Sequence, residues 1–216
     1  MKLVIKIGGS LSVGDSGPDY RYFSRLLPAL KAIKKRHQLI VVIGGGRLAR
    51  KYISIVKKFR ISEKNCEWVA IYIVNINRKF LSAVLGMNEI KSLGEIGPKT
   101  RGVLGGIAPG RSTDANAAYA ASAIRADMLI KLTDVDGVYE KDPKTHKNAK
   151  KLYKISFSDL GKISKKGSAG NYGIMDSTAI GIITKSRIKT VIISGARTKD
   201  LLKAIAGRHV GTVIGD

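Results

Sequence analysis

The sequence has one cysteine, few acids and no long apolar run, and each scarcity narrows what the chain can be. Cys66 has no second thiol to pair with, so an internal disulfide is excluded. With no Cys/His cluster around it, it builds no zinc site and reads as a small core residue. No stretch approaches the roughly 18 apolar residues that a membrane span needs. The opening MKLVIKIGGS ends its short apolar run at paired glycines, as a first strand does and a secretory leader does not. The expectation is a cytoplasmic protein without a membrane partner. Acidic residues number 16 against 39 Lys and Arg, a net charge of +23, which favours anionic substrates or polyanionic partners. Nucleic acid is still the weaker choice. No helix-turn-helix, zinc-finger or RNA-recognition signature occurs, and the eight tyrosines and four phenylalanines are scattered rather than interleaved with a basic stripe. Lysines such as Lys31, Lys34, Lys35, Lys57 and Lys58 fall where helices meet solvent.

Internal repeats, low-complexity tracts and long polar linkers are missing too, so residues 1–216 read as one domain. What is present is an alternation of apolar runs and helical periods. Residues 2–7 form a short apolar strand, and Phe23, Leu26, Leu27, Leu30 and Ile33 recur at helical spacing between Tyr20 and His37. A strand at Leu39 to Ile43 is followed by Gly44-Gly45-Gly46 and a helix from about Arg47 to Phe59. Further helices are predicted at Trp68 to Leu85, from near Thr113, near Phe157, near Asp176 and at Asp200 to Ala206. Strands are predicted at Gly102 to Leu104, Met128 to Leu132, Thr190 to Ile193 and Thr212 to Ile214. Strands alternating with helices imply an α/β fold, a three-layer αβα sandwich around a mostly parallel sheet.

In such a sheet ligands settle beyond the carboxyl ends of the strands, and three glycine turns fall at those ends. In Lys6-Ile7-Gly8-Gly9-Ser10 the glycines admit close approach to phosphate oxygens, Ser10 adds a hydroxyl and Lys6 a point charge. Gly44-Gly45-Gly46 opens a helix whose free N–H groups attract an anion, with Arg50 one turn on. The third turn, Gly105 to Asp114, places two hydroxyls and a carboxylate at a helix start. Each turn alone is as well explained by chain reversal as by anion binding; together they point to phosphate. No GxxxxGK[ST] occurs, and Gly44 to Arg50 lacks the GxGxxG spacing, so the P-loop and dinucleotide folds are excluded.

The segment Leu132-Thr133-Asp134-Val135-Asp136-Gly137-Val138-Tyr139, followed by Asp142-Pro143, resembles the nucleotide-binding stretch of the amino acid kinase superfamily. Together with KIGGS, VVIGGGRLARKY, GGIAPGRSTDA and AGNYGIMDSTA, it makes the whole chain similar to the archaeal-type UMP kinases. The resemblance implies transfer of the ATP γ-phosphoryl group to UMP, Mg²⁺ carried on the nucleotide with no dedicated protein metal site, and a homo-oligomer, a hexamer in that family. It puts Gly9 and Ser10 on the ATP phosphates, Gly46 and Arg50 on the same nucleotide, and Thr133, Asp134, Tyr139 and Asp142 around the adenosine. Gly45, Glu67, Ile107, Ala108, Pro109, Gly110, Arg111, Ser112 and Thr113 would meet UMP. Lys6 would neutralise the transferring group, with Asp114 orienting it.

The resemblance also implies a second cation near the transferring group, with Lys165 and Lys166 as candidates. Asp176 reads as a helix cap as readily as a site residue. The chain departs from the family at three acceptor positions: Glu67 stands for an aspartate, Asn75 for an arginine and Ile107 for a threonine. Arg111 is a candidate replacement for the missing arginine. Two other readings stay open: a same-fold kinase for another acceptor, such as isopentenyl phosphate or an amino acid, and a non-catalytic RNA or polyanion binder.

Overall fold

The computed structural model describes residues 1–165 and 175–216. In chain order the elements are β1 (Lys2–Ile7), α1 (Gly9–Ser12), α2 (Tyr20–Arg36), β2 (Gln38–Ile43), α3 (Gly46–Lys57) and α4 (Glu63–Leu85). Then come β3 (Glu89–Ile90), β4 (Gly102–Leu104), α5 (Thr113–Ala123), β5 (Met128–Thr133), β6 (Val138–Tyr139), β7 (Lys151–Leu152) and β8 (Lys154–Ile155). The chain ends through α6 (Phe157–Lys165), α7 (Ser177–Ser186), β9 (Thr190–Ser194), α8 (Thr198–Ile205) and β10 (Thr212–Ile214).

The strands KLVIKI, QLIVVI and MLIKLT are apolar almost throughout because helices cover the sheet on both faces. The main sheet has the order β3-β4-β2-β1-β5-β9-β10-β8. From β3 to β9 neighbours run parallel; β10 turns back antiparallel to β9, and β8 lies parallel to β10. One core holds alternate strand residues such as Leu3, Ile5, Val41 and Ile130 against α2, α8 and the end of α4. The other holds Val4, Val42 and Leu129 against α5, α6 and α7. The architecture is the expected αβα sandwich.

Caps explain where the helices begin. Asp19 accepts from the Tyr22 N–H, Ser62 from Asn65 and Ser112 from Ala115, each satisfying an orphan donor of a first turn. The Ser62 cap also corrects the expected start of α4 at Trp68: the helix begins at Glu63, and its polar first turn carries no apolar period. The expectation that no stretch approaches a membrane span is corrected by α4, which at 23 residues is long and apolar enough by composition to cross one. Its Asn77 and Arg78 are nevertheless buried against the protein. Helix α5, TDANAAYAASA, is rich in alanine, and its buried alanines let it lie close over β1, β2 and β5.

The scarce carboxylates are mostly tied into this framework. Asp127 accepts from the Lys2 N–H at 2.7 Å, Glu89 pairs with Arg78 at 3.1 Å and Lys79 at 3.0 Å, and Asp200 pairs with Arg197 and Lys203.

Candidate active site

The parallel strands β1, β2 and β5 finish side by side, and the chain leaves them through Gly8-Gly9-Ser10, Gly44-Gly45-Gly46 and Thr133-Asp134. These turns enclose a cleft of 260 Å³ together with Lys6, Arg50, Thr113 and Lys131. Two of its glycines are sterically obligatory. A Cβ on Gly9 would lie 2.4 Å from the Gly46 nitrogen, and Gly46 has φ +65°, where a Cβ would lie 2.4 Å from the Val13 carbonyl oxygen. The first two turns therefore touch backbone to backbone, with no side chain between them. Their shape is set before any ligand arrives. Asn77 supports the second turn from α4, donating through Nδ2 to the Gly44 carbonyl at 3.1 Å. Arg50 reaches Ser10 Oγ at 3.5 Å across the mouth.

At the cleft floor two lysines share one carboxylate. Lys6 on β1 and Lys131 on β5 are register partners on adjacent strands, so both side chains leave the same face of the sheet. That face is covered by α5, whose first turn carries Asp114. Lys6 Nζ lies 2.9 Å from Asp114 Oδ1, and Lys131 Nζ lies 2.9 Å from Oδ2. Burial alone would raise the Asp114 carboxyl; the two ammonium groups overcome it and hold the pKa at about 2. Burial, with Lys6 adding to it, pushes the Lys131 ammonium down against the opposing pull of Asp114. The arrangement concentrates positive charge that Asp114 positions but only half neutralises.

A second, more open cleft of 600 Å³ adjoins the first. Its walls are the Gly106 to Thr113 turn, without Ile107, and one face of α3 and α4 including Ala49, Ile53, Ala70 and Val74. Gly45, Gly46, Arg50 and Thr113 line both clefts, so the two meet there. Glu67 reaches across from α4 and accepts from the Gly110 N–H at 2.7 Å, at a residue with φ +74°. The extra methylene of this glutamate thus clamps the turn. Arg111 stands exposed on the rim, its guanidinium 5.7 Å from the centre of the Tyr119 ring. Ser112, which caps α5, also donates to Asp176 Oδ2. Asp176 in turn caps α7 through bonds from Thr178 and Ala179 at 3.0 and 3.1 Å. It is both a cap and a tie between two helix starts.

Some expected residues lie elsewhere. Ile107 is absent from the cleft lining; its side chain packs against the core under α5. Asn75 is likewise not on the lining, and its Oδ1 is buried near Gly105. Thr133 and Asp134 reach the phosphate cleft, whereas Tyr139 and Asp142 sit in the segment beyond it. There the Tyr139 hydroxyl donates to Asp136, a bond that raises the phenol to about 12. Asp142 accepts from the Lys144 N–H at 2.9 Å and holds its own turn. Asp134, which burial would raise, is kept below the usual carboxylate range by its bond and ion pair with Lys144.

A model of the family described as "Amino acid kinase family" matches residues 1–99 and 94–194. The chain belongs to the amino acid kinase family. Among curated proteins it is 37% identical to the uridylate kinases of Thermococcus sibiricus and Methanobrevibacter smithii, in each case over 99% of both chains. Among solved structures it matches the uridylate kinase of Archaeoglobus fulgidus with a TM-score of 0.85 and 32% identity over the full length of both. The UMP kinase of Bacillus anthracis, at 21% identity and a TM-score of 0.81, shares the fold.

Within this amino acid kinase, Lys131 is the site residue that sequence reasoning passed over. It was absorbed into the apolar strand MLIKLT, yet it interrupts that run as Lys6 interrupts KLVIKI. It places a second ammonium group beside Lys6 on Asp114; the expected candidates for a second cation were Lys165 and Lys166. The Lys165 side chain and Lys166 lie outside the described residues, as does most of AGNYGIMDSTA.

Proposed function

We propose that this amino acid kinase transfers the γ-phosphoryl group of ATP to UMP, giving ADP and UDP for the pyrimidine nucleotide supply of the cytoplasm. The observation that carries the reading is the junction of two clefts. A glycine-lined, cationic cleft suits phosphates, a roomier cleft with apolar walls suits a nucleoside monophosphate, and they meet at Gly45, Gly46, Arg50 and Thr113. Full-length identity of 37% to uridylate kinases supports UMP as the acceptor.

Phosphoryl transfer needs positioning and charge neutralisation more than covalent chemistry. Backbone N–H groups of the Gly9 and Gly46 turns, with Ser10 and Arg50, hold the ATP phosphates; Thr133 and Asp134 lead to the adenosine, which Tyr139 and Asp142 border. Gly45 and the turn from Ala108 to Thr113 receive the UMP phosphate and nucleoside, the turn being held by Glu67. Lys6 and Lys131, which line the phosphate cleft, stabilise charge on the transferring oxygens. The attacking oxygen is already an ionised phosphate, so no general base is required. Asp114, with a pKa of about 2, stays ionised at neutral pH and orients both ammonium groups.

Among the described residues no group of three or more His, Cys, Asp or Glu side chains gathers as a metal cage. Among the described residues the one carboxylate lining the phosphate cleft is Asp134, tied to Lys144. This donor set fits Mg²⁺ that arrives on the ATP phosphates; Asp134 and the Ser10 hydroxyl are the lining groups that would hold it. Bound there, the cation would screen phosphate charge. Oligomerisation belongs to the same reading: Tyr52 and Ile55 from α3, Phe59 just after it, and Tyr72 and Ile76 from α4 are exposed, an apolar surface that suits self-association into the family's hexamer.

The test is direct. Purified protein with ATP, Mg²⁺ and UMP is expected to release ADP and UDP, with UMP preferred over CMP, isopentenyl phosphate and amino acids. Absence of turnover with UMP, or preference for another acceptor, rejects the reading.

A further inference from the structure

We infer that the chain carries a second anion site, remote from the phosphate cleft, for a small phosphorylated compound with an apolar body, a nucleotide being the test case. The site is a cavity of 550 Å³ at the β9-β10-β8 edge of the sheet. It shares no lining residue with either cleft of the active site.

The register builds its floor. Val213 on β10 is the cross-strand partner of Val191 on β9 and of Lys154 on β8, so the three form one row on one face of the sheet. Side chains alternate along a strand, which brings Lys189, two residues before Val191, to the same face at the strand's start. Helix α8 packs over β9, and being only eight residues long it ends at Ile205. Its end supplies the wall: Ala204 is apolar, and Arg208 and His209 follow Gly207, whose φ of +76° turns the chain.

Charge identifies the occupant. Lys154, Lys189, Arg187 and Arg208 surround the cavity, and the one carboxylate among the described lining residues, Asp216, is already paired with Arg187. Arg187 is further fixed over Phe157, 5.1 Å from the ring centre. The unmatched charge therefore resides on Lys154, Lys189 and Arg208. The same face on a second copy would set these cations against their like, so self-association through it is not suited. The volume lies in the range of small-molecule pockets, roughly 300–1,000 Å³. An apolar floor beneath a ring of cations matches a ligand with an anionic end and a flat or apolar body, which a bare phosphate does not use fully.

The test compares ADP binding by calorimetry to the intact protein and to the double variant Lys189→Glu/Arg208→Glu. Circular dichroism and Tm establish that the variant is folded, and Lys154→Gln, on a different strand, serves as an independent probe. The protein is expected to bind one ADP more per chain than the double variant. Lys154→Gln is expected to weaken that extra equivalent by about tenfold or more, the scale of losing a charge-assisted contact. Inorganic pyrophosphate is expected to bind the extra site at least about tenfold more weakly than ADP. Equal ADP stoichiometry in the protein and the folded double variant overturns the proposal. So does pyrophosphate binding as tightly as ADP, or a ten-nucleotide RNA being held through these residues with no extra ADP equivalent. Phosphoryl transfer at the main site is expected to keep its kcat in both variants.

Discussion

Lys6 and Lys131, register partners on neighbouring strands, grip the two oxygens of a single carboxylate, Asp114, each at 2.9 Å. The carboxylate is thus a spacer that keeps two like charges side by side on the floor of the phosphate cleft. Removing either charge should affect the transition state more than binding. Lys131→Met is expected to lower kcat by about 10²- to 10³-fold, as loss of a preorganised charge does, with the KM for UMP changed little. Steady-state kinetics with a folded variant decides it.

Asp114→Asn leaves two buried ammonium groups without their counter-charge. A loss of about 3–5 kcal/mol in unfolding free energy is expected, read by urea titration.

The same carboxylate sets an acid limit. Its folded pKa of about 2 lies below the ordinary value of 3.8, so its contribution is complete above about pH 4 and disappears as the pH falls towards 2. It amounts to about 2 kcal/mol. Urea midpoints measured from pH 6 downwards should fall more steeply below pH 4 for the natural chain than for Asp114→Asn.

Gly9→Ala and Gly46→Ala should each disturb the phosphate cleft, because a methyl group at either place meets backbone at 2.4 Å. A loss of more than about 1 kcal/mol in stability and a marked rise in the KM for ATP are expected. Gly17→Ala is the control: its φ is also positive, but nothing lies within 4 Å, so it tests strain without a clash.

On the acceptor side, Glu67→Ala frees the Gly110 N–H and loosens the turn. The KM for UMP is expected to rise about tenfold, equivalent to roughly 1.4 kcal/mol, while that for ATP is unchanged. Glu67→Gln, which keeps an acceptor oxygen, should restore most of it. Arg111→Ala tests whether the rim guanidinium holds the UMP phosphate: an unchanged KM for UMP would remove it from the acceptor site.

Much of the framework was readable in the chain because its signals are local. The strands at 2–7, 102–104 and 212–214 and the third glycine turn fall where apolar runs and glycines place them. The two-residue strands β3, β6, β7 and β8 were not readable, since two residues show no alternation. The start of α4 was hidden by its polar first turn and betrayed only by Ser62. Lys131 was missed for a different reason. Its meaning depends on which residue stands beside it on β1, and strand register is a property of the folded sheet. The placing of Ile107 off the cleft lining, its side chain packed against the core, was equally illegible, because the path of an irregular turn is a property of the fold.

The tying of the few acids into caps, clamps and ion pairs makes the chain lopsided in its tolerance of mutation. Losing one of its bonded aspartates or glutamates breaks a bond that the fold uses, as at Asp19, Glu67, Glu89, Asp127 and Asp176. Losing one of the many solvent-facing lysines removes charge and little else. Substitutions accepted by this chain should therefore accumulate on its basic side, and its net charge can drift downward far more easily than upward.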